Sequence, residues 1–231
     1  MKDTIEIVIK KENWQRVALA VGDINPIHYL EKEAVCPGVY LFSEVEKIAR
    51  GDGIFQPPLN IKGGFFGLVY NKDRLILNKN YLESKSIFTY YKNGDKIAEF
   101  GLEKISEYKK NYIFTGNLEE AREILESELY SFNEALELTD NKEVYSAFTI
   151  GRVLEKFLIG REGSLLHNLE FNHYKDPVLG NIFVKWDVNQ EIRKRGRKEI
   201  TDFFIKAGAV QFDGVVGVGV AKAQHKIIRD F

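Results

Sequence analysis

The segment Gly38-Val39-Tyr40-Leu41-Phe42-Ser43-Glu44-Val45-Glu46-Lys47-Ile48-Ala49-Arg50 predicts a helix with one apolar face. Its apolar residues recur at the spacing i, i+4, i+7 and i+8. These positions are Leu41, Val45, Ile48 and Ala49. Pro37 directly before the segment and Gly51 directly after it are typical helix boundaries. A helix of this kind must bury its apolar face, so neighbouring elements are expected to cover it.

Short strands surround this helix in the first half of the chain. Upstream, Thr4–Ile9 alternates like a strand, and Trp14–Val21 has the spacing of a short helix. Beyond Pro57-Pro58 no helical period occurs until about residue 117, and Asn93-Gly94 predicts a hairpin turn. The strand-like runs in this region are Asn60–Tyr70, Leu75–Leu77, Ser84–Tyr91 and Lys96–Ile105.

The second half repeats this order after a polar seam at residues 106–116. A charged, amphipathic helix is predicted first, from Leu118 to Leu129. A second one-sided helix follows at Ile150–Leu158, and Gly160 and Gly163 end it. Strand-like runs come next, with hairpin signals at Arg195-Gly196 and Asp213-Gly214. They are Leu165–Tyr174, Ile182–Val188, Lys198–Lys206 and Val215–Lys222.

The two halves also match in the spacing of one strand-like run. Phe66, Leu68 and Tyr70 precede Lys72-Asp73, as Leu169, Phe171 and His173 precede Lys175-Asp176. We interpret the repeated order as an internal duplication. The predicted fold class is α+β, with one unit at residues 1–110 and a second at 111–231. Each unit wraps an antiparallel sheet around its helix, and pairing the two sheets edge to edge gives a pseudo-dimer.

Composition narrows the classes of partner. The chain has 231 residues, with 33 basic and 34 acidic side chains, so no overall field attracts nucleic acid or an anionic membrane. The single cysteine, Cys36, excludes an internal disulfide and a cysteine-based zinc site. No apolar run reaches the length of about 20 residues that a membrane span needs. We expect a cytoplasmic protein with no nucleic-acid or membrane partner.

Residues able to do acid–base chemistry are concentrated in Gly22-Asp23-Ile24-Asn25-Pro26-Ile27-His28. Pro26 fixes its own φ and favours an extended Asn25, so the preceding helix cannot continue. The side chains of Asp23 and Asn25 can accept hydrogen bonds from nearby backbone N–H groups and fix the bend. Asp23 and His28 are therefore presented together at a helix end. The alternative is an ordinary turn followed by a structural histidine.

With these features the chain resembles the MaoC-like dehydratases, the (R)-specific enoyl-CoA hydratase group of the hot-dog fold. The resemblance rests on Gly22–His28, on Gly38 at the start of the central helix, and on Leu169-Glu170-Phe171 followed by Asp176-Pro177-Val178-Leu179-Gly180-Asn181. It implies two fused hot-dog units, of which only the N-terminal one carries the motif. The second half has Ser146 and Ala147 where a second site would need acid–base residues, so one site per chain is expected.

The resemblance also implies a reaction, its site residues and its partners. Asp23 and His28 would be the catalytic pair, with Asn25 and Gly38 in support, Gly38 as a donor to the thioester oxygen. The substrates would be 2-enoyl and (R)-3-hydroxyacyl thioesters of CoA or acyl carrier protein, with no cofactor or metal. Acyl chain length, direction and assembly into a homodimer of pseudo-dimers stay open.

Two alternatives to this reaction stay open on the same scaffold. One is an acyl-CoA thioesterase, in which Asp23 directs water to the thioester carbonyl. The other is a non-catalytic acyl-thioester binding protein or partner subunit. Only ten positions separate His28 from Gly38, and this short connection keeps the second alternative open.

Overall fold

A computed structural model describes residues 2–106, 119–138, 142–158, 163–195, 198–212 and 214–228. The predicted boundary between residues 110 and 111 lies outside these ranges. So do residues 107–116 of the polar seam and three of the predicted turn or helix-end positions, Gly160, Gly196 and Asp213.

The described elements follow the predicted order in both halves. They are β1 (Lys2–Val8), α1 (Lys11–Val21), α2 (Gly38–Gly51), β2 (Leu59–Phe65), β3 (Arg74–Tyr81), β4 (Lys85–Lys92), β5 (Asp95–Lys104), β6 (Glu119–Glu120), α3 (Glu126–Ala135), α4 (Ser146–Leu158), β7 (Leu165–His173), β8 (Phe183–Arg195), β9 (Lys198–Gln211) and β10 (Gly214–Ile228). None of the described helices is both long enough and apolar enough to cross a membrane.

The strands form one ten-stranded antiparallel sheet in the order β1-β3-β4-β5-β2-β7-β10-β9-β8-β6. The two halves meet where β2 pairs with β7, with Leu59 opposite His173. At the next position Asn60 Nδ2 donates a hydrogen bond to Asn172 Oδ1 over 2.8 Å. The prediction that the halves pair edge to edge is confirmed, and this pairing covers one exposed edge of each half.

The two one-sided helices, α2 and α4, supply much of the core. Along α2, three of the four predicted inward residues, Leu41, Val45 and Ala49, are buried, and Ile48 is partly buried against the core. Along α4, Phe157 packs edge-on against Phe203 of β9, with ring centroids 5.5 Å apart. The helix predicted at Ile150 begins four residues earlier, at Ser146. The tight turn predicted at Asn93-Gly94 is confirmed, since both residues have positive φ, 53° and 89°.

Two sequence predictions differ from the structure. The helix predicted from Leu118 starts only at Glu126, because Ala121 and Ile124 donate backbone hydrogen bonds to Ile182 and Gly180 of the second half. The first-half strand predicted to reach Tyr70 ends at Phe65, and the next two N–H groups bond to the carbonyl of Ile97. The spacing match between residues 66–70 and 169–173 therefore does not mark equivalent strand positions, whereas the order of elements does repeat.

Candidate active site

The bend at residues 22–28 begins with a glycine that the packing requires. Gly22 has φ +88°, and the N–H groups of Gly22 and Asp23 close helix α1 onto the carbonyls of Leu19 and Ala18. A Cβ atom at Gly22 would lie 2.6 Å from both Arg152 Nη1 and Glu155 Oε2. The left-handed φ favours glycine at position 22, and a Cβ atom there would also displace the ends of these two side chains. The chain turns at this glycine and brings Asp23 into the interior.

Asp23 and His28 lie side by side in this interior, each only 5% exposed. The distance from Asp23 Oδ2 to His28 Nε2 is 3.5 Å. The other carboxylate oxygen of Asp23 accepts a hydrogen bond from the backbone N–H of Asn25 over 3.3 Å, and Asn25 Oδ1 accepts one from Ile27 over 3.4 Å. The expected side-chain bonds to the backbone of the bend are therefore present.

A single hydrogen bond fixes the orientation of the His28 ring. Its Nδ1 lies 2.6 Å from the carbonyl oxygen of Val35. A carbonyl oxygen can only accept, so Nδ1 carries a proton, and in the neutral ring Nε2 presents a lone pair toward Asp23. Burial lowers the pKa of His28, but the Asp23 carboxylate and the Val35 carbonyl outweigh it, so the pKa is raised above the ordinary histidine value.

The short connection between His28 and Gly38 supplies that carbonyl. The N–H of Val35 returns to the carbonyl of Ile27 over 3.1 Å, and the N–H of Cys36 bonds to Val69 over 2.8 Å. The connection is thus held at both sides of Val35. In this short connection the carbonyl of Val35 orients the imidazole of His28. The same connection is the feature that kept a non-catalytic alternative open in the sequence.

Asn25 joins the bend to the second half of the chain. Its Nδ2 donates to the carbonyl of Ser164 over 2.7 Å, and its Oδ1 accepts from the N–H of Gly163 over 3.0 Å. These contacts are 139 and 138 residues away in sequence, so no local signal predicts them. The structure gives Asn25 the role of holding the bend.

Gly38, the first residue of α2, lines the same cavity as Asp23 and His28. N–H groups in the first turn of a helix have no acceptor within the helix and lie at the positive end of its dipole. A Cβ atom at Gly38 would lie 2.6 Å from the ring of Phe65. The missing side chain therefore lets Phe65 pack over the start of the helix.

The cavity has a volume of about 190 Å³ and is bordered by both halves. The first half contributes Asp23, His28 and one apolar wall, which includes Phe65, Phe66 and Leu68, while Ser164 and His167 of the second half are also polar. The opposite wall belongs to the second half, whose sequence shows no catalytic motif. Its apolar members are Leu154, Phe157, Leu165, Leu166 and Ala223. Sequence reasoning missed this wall, because only the β2–β7 pairing brings it to the bend.

At the start of α4, the helix that repeats α2 in the second half, a carboxylate occupies the helix end. Glu46 is fully buried and accepts from the N–H of Ser146 over 2.8 Å, from that of Ala147 over 3.3 Å and from the Ser146 hydroxyl over 2.8 Å. Arg50 donates to Glu46 through Nε over 3.1 Å and Nη2 over 2.8 Å. Ser146 and Ala147 thus bind an internal carboxylate.

The Glu46 cluster continues to Asp176 and His173. Arg50 Nη2 lies 2.6 Å from Asp176 Oδ1, and His173 Nε2 lies 2.9 Å from the same oxygen. Burial acts to raise the pKa of Asp176, but the hydrogen bonds from His173 and Arg50 outweigh it and lower the pKa to about 2. His173 therefore lies in a charged cluster and is not among the residues that line the cavity.

A cysteine nucleophile and a metal site are the two other kinds of site to consider. Burial raises the pKa of the Cys36 thiol well above its ordinary value, which does not suit a nucleophile. Among the residues that the structure describes, no group of three or more His, Cys, Asp or Glu side chains is placed to hold a metal ion.

Comparison with known proteins gives the fold a name. The sequence matches no protein-family model and no curated protein. A MaoC domain dehydratase from Chloroflexus aurantiacus matches with a TM-score of 0.62 at 12% identity, covering 98% of this chain and 95% of that one. A Mycobacterium tuberculosis protein with a double hot-dog fold matches with a TM-score of 0.57 at 10% identity, covering 97% and 96%. This chain has the double hot-dog fold.

The same double hot-dog fold also carries a different chemistry. An oleoyl thioesterase from Lactobacillus plantarum matches with a TM-score of 0.57 at 8% identity, covering 96% of each chain. At such low identity these likenesses show the fold alone. The resemblance to the MaoC-like dehydratases that the motif suggested is confirmed in three dimensions, while the reaction has to be argued from the site.

Proposed function

We propose that this double hot-dog protein interconverts 2-enoyl and (R)-3-hydroxyacyl thioesters by adding or removing water. The observation that carries the proposal is the pair Asp23 and His28, 3.5 Å apart in a cavity that is otherwise lined mostly by apolar residues. A carboxylate and an imidazole can together hold one water and move its protons. The apolar walls suit an acyl chain, and the start of α2 offers donors to its thioester oxygen.

The orientation of His28 supports a division of roles. With its proton on Nδ1, Nε2 accepts a proton from the water whose oxygen attacks C3, while Asp23 holds the other hydrogen of that water. The His28 imidazolium then delivers the proton that it took from this water to C2, which completes the addition and returns the ring to its neutral form. Negative charge develops on the thioester oxygen, where N–H groups at Gly38 would stabilise it. In elimination the same groups act in reverse.

Hydration of crotonyl-CoA, and of the crotonyl thioester of an acyl carrier protein, tests the proposal. Asp23→Asn and His28→Gln should each lower kcat/KM by about 10²- to 10⁴-fold, since each removes a proton-transfer group. Asp187→Asn and His225→Gln change the same residue types outside the cavity and should keep activity. Full activity in both site variants would refute the proposal.

Thioester hydrolysis is the second candidate function. It is supported by the similar structure that is described as an oleoyl thioesterase. In that reaction the water held by Asp23 attacks the thioester carbonyl. The two reactions give different products, because only hydrolysis releases a free thiol, which a thiol reagent detects. Saturable binding of the acyl thioester with neither product would indicate a non-catalytic binding protein or partner subunit.

A further inference from the structure

The cavity beside Asp23 is lined by a leucine that also borders a second cavity. Leu154 of α4 is 8% exposed and lines the 190 Å³ cavity from the second-half side. Leu154 also lines a separate space of about 20 Å³ between α4 and strands β7, β9 and β10. The residues around that space are all apolar: Ile150, Val153, Leu154, Leu169, Phe171, Ile205, Ala207, Gly219, Val220 and Ala221.

The interior differs between the two halves. Under α2 the space is filled by rings, with Phe100 packed at 5.7 Å from Phe42 and at 6.3 Å from Tyr90. Under α4 the wall of the second cavity includes Ala207, Gly219 and Ala221, whose side chains are small or absent. Past Leu154, an acyl chain that outgrows the first cavity would enter this small apolar space.

The volume of the first cavity suits a short acyl chain. Because a cavity of about 150 Å³ holds benzene, one of 190 Å³ holds about eight non-hydrogen atoms. A four-carbon enoyl group with its thioester oxygen and sulfur has six, and the reacting water is one more. A six-carbon group with the same two atoms has eight, so it fills the cavity before the water is counted.

We propose that Leu154 closes the acyl end of the site and restricts the protein to short acyl groups of about four to six carbons. This inference rests on the proposed acyl-thioester function. Leu154 touches the chain end, away from the reacting atoms, so it determines specificity and takes no part in proton transfer.

The test measures binding of saturated acyl-pantetheine thioesters with 4, 6, 8 and 12 carbons, which carry the arm common to CoA and acyl carrier protein. In the unchanged protein, affinity should rise from 4 to 6 carbons by up to about fourfold per buried methylene and then fall. Leu154→Ala should join the two cavities and raise affinity for the 8-carbon compound at least tenfold. Leu154→Phe should lower the affinity for the 6-carbon compound at least tenfold and leave the affinity for the 4-carbon compound unchanged.

Val153→Ala is the matched control, because Val153 lines only the second cavity and leaves the leucine in place. Its length profile should equal that of the unchanged protein. An affinity that keeps rising to 12 carbons, or a profile that neither Leu154 variant alters, would overturn the role of Leu154 and leave the proposed reaction standing. Failure of every compound to bind would contradict the acyl-thioester function itself.

Discussion

At the scale of single residues, the raised pKa of His28 has a cause that can be removed. Asp23 holds the protonated imidazole by charge and by hydrogen bonding, against the effect of burial. In Asp23→Asn the charge is gone while burial remains, so the pKa of His28 should fall below its value in the unchanged protein. NMR titration of the four histidines measures this, with the other three as internal references. An unchanged His28 pKa would show that Asp23 is not its partner in solution.

The same shift fixes how stability depends on pH. A histidine whose pKa is raised by folding binds its proton more tightly in the folded state. Its contribution to stability is complete below the unfolded pKa and is lost as the pH rises through the folded value. The stability difference between the unchanged protein and Asp23→Asn should therefore narrow from acidic toward alkaline pH over this interval.

Local and distant contacts of the bend differ in how far the sequence reveals them. Pro26 and the side-chain acceptors of Asp23 and Asn25 act over two or three residues, and the sequence predicted their bend. The bonds from Asn25 to Gly163 and Ser164 depend on how the halves dock. The contact from Val35 is intermediate between these two kinds. Its carbonyl is close to His28 in sequence, but the direction of that carbonyl depends on the whole connection between His28 and Gly38.

At the scale of elements, Glu46 links the two central helices. It accepts three hydrogen bonds from the first turn of α4 and neutralises Arg50 of α2. Glu46→Ala would remove the fully buried partner of Arg50, which keeps Asp176 and Glu143, and would leave the α4 N–H groups without an acceptor. We expect the free energy of unfolding to fall by about 3–5 kcal/mol, measured by urea denaturation.

Two variants make the Glu46 measurement specific. Glu46→Gln keeps an acceptor for Ser146 but loses the charge facing Arg50. Its free energy of unfolding should therefore fall by less than that of Glu46→Ala. Glu103→Ala removes an exposed carboxylate and should change stability by less than about 0.5 kcal/mol. Equal stabilities for Glu46→Ala and Glu103→Ala would show that the cluster does not hold α4.

Element prediction succeeded where one pattern acts alone. The apolar period of α2 and the Asn93-Gly94 turn are local, and both were found where the sequence placed them. The pattern from Leu118 to Leu129 is as regular, but backbone pairing of Ala121 and Ile124 with the second-half sheet delays the helix to Glu126. Sheet hydrogen bonds between distant segments overrode local helix preference there.

At the scale of the whole molecule, the β2–β7 pairing predicts that the halves unfold together. The chain has two tryptophans, Trp14 in the first half and Trp186 in the second. In Trp14→Phe the tryptophan fluorescence comes from Trp186 and reports on the second half. In Trp186→Phe it comes from Trp14 and reports on the first half. Within each variant, the urea midpoint from fluorescence should coincide with that from circular dichroism, because a continuous sheet and the Asn25 contacts couple the halves.

Separate transitions in these variants would contradict the coupling. If fluorescence from one tryptophan changes well before the circular dichroism signal, its half unfolds on its own. Adding Asn25→Ala tests the link between the halves, since it removes the contacts to Gly163 and Ser164 but leaves β2–β7 intact.

The architecture could be predicted because it follows from repeated element order, which needs no knowledge of contacts. Each of the two apolar helices is followed by strands, and these strands can cover the apolar face of their own helix. The exposed edges of the two sheets then pair. The composition of the cavity could not be predicted in the same way. Leu154, Leu165 and Ala223 lie in the half without a motif, and only the docked fold brings them to Asp23.

The carboxylate at the start of α4 also gives a template for inhibitor chemistry. Glu46 shows how two oxygens fit the first turn of such a helix in this protein, at 2.8 Å from Ser146 N and 3.3 Å from Ala147 N. In the first half, the corresponding turn, at Gly38 and Val39, lies on the cavity. A short carboxylic acid placed there would copy this arrangement, which makes small fatty acids the first inhibitors to test at the cavity.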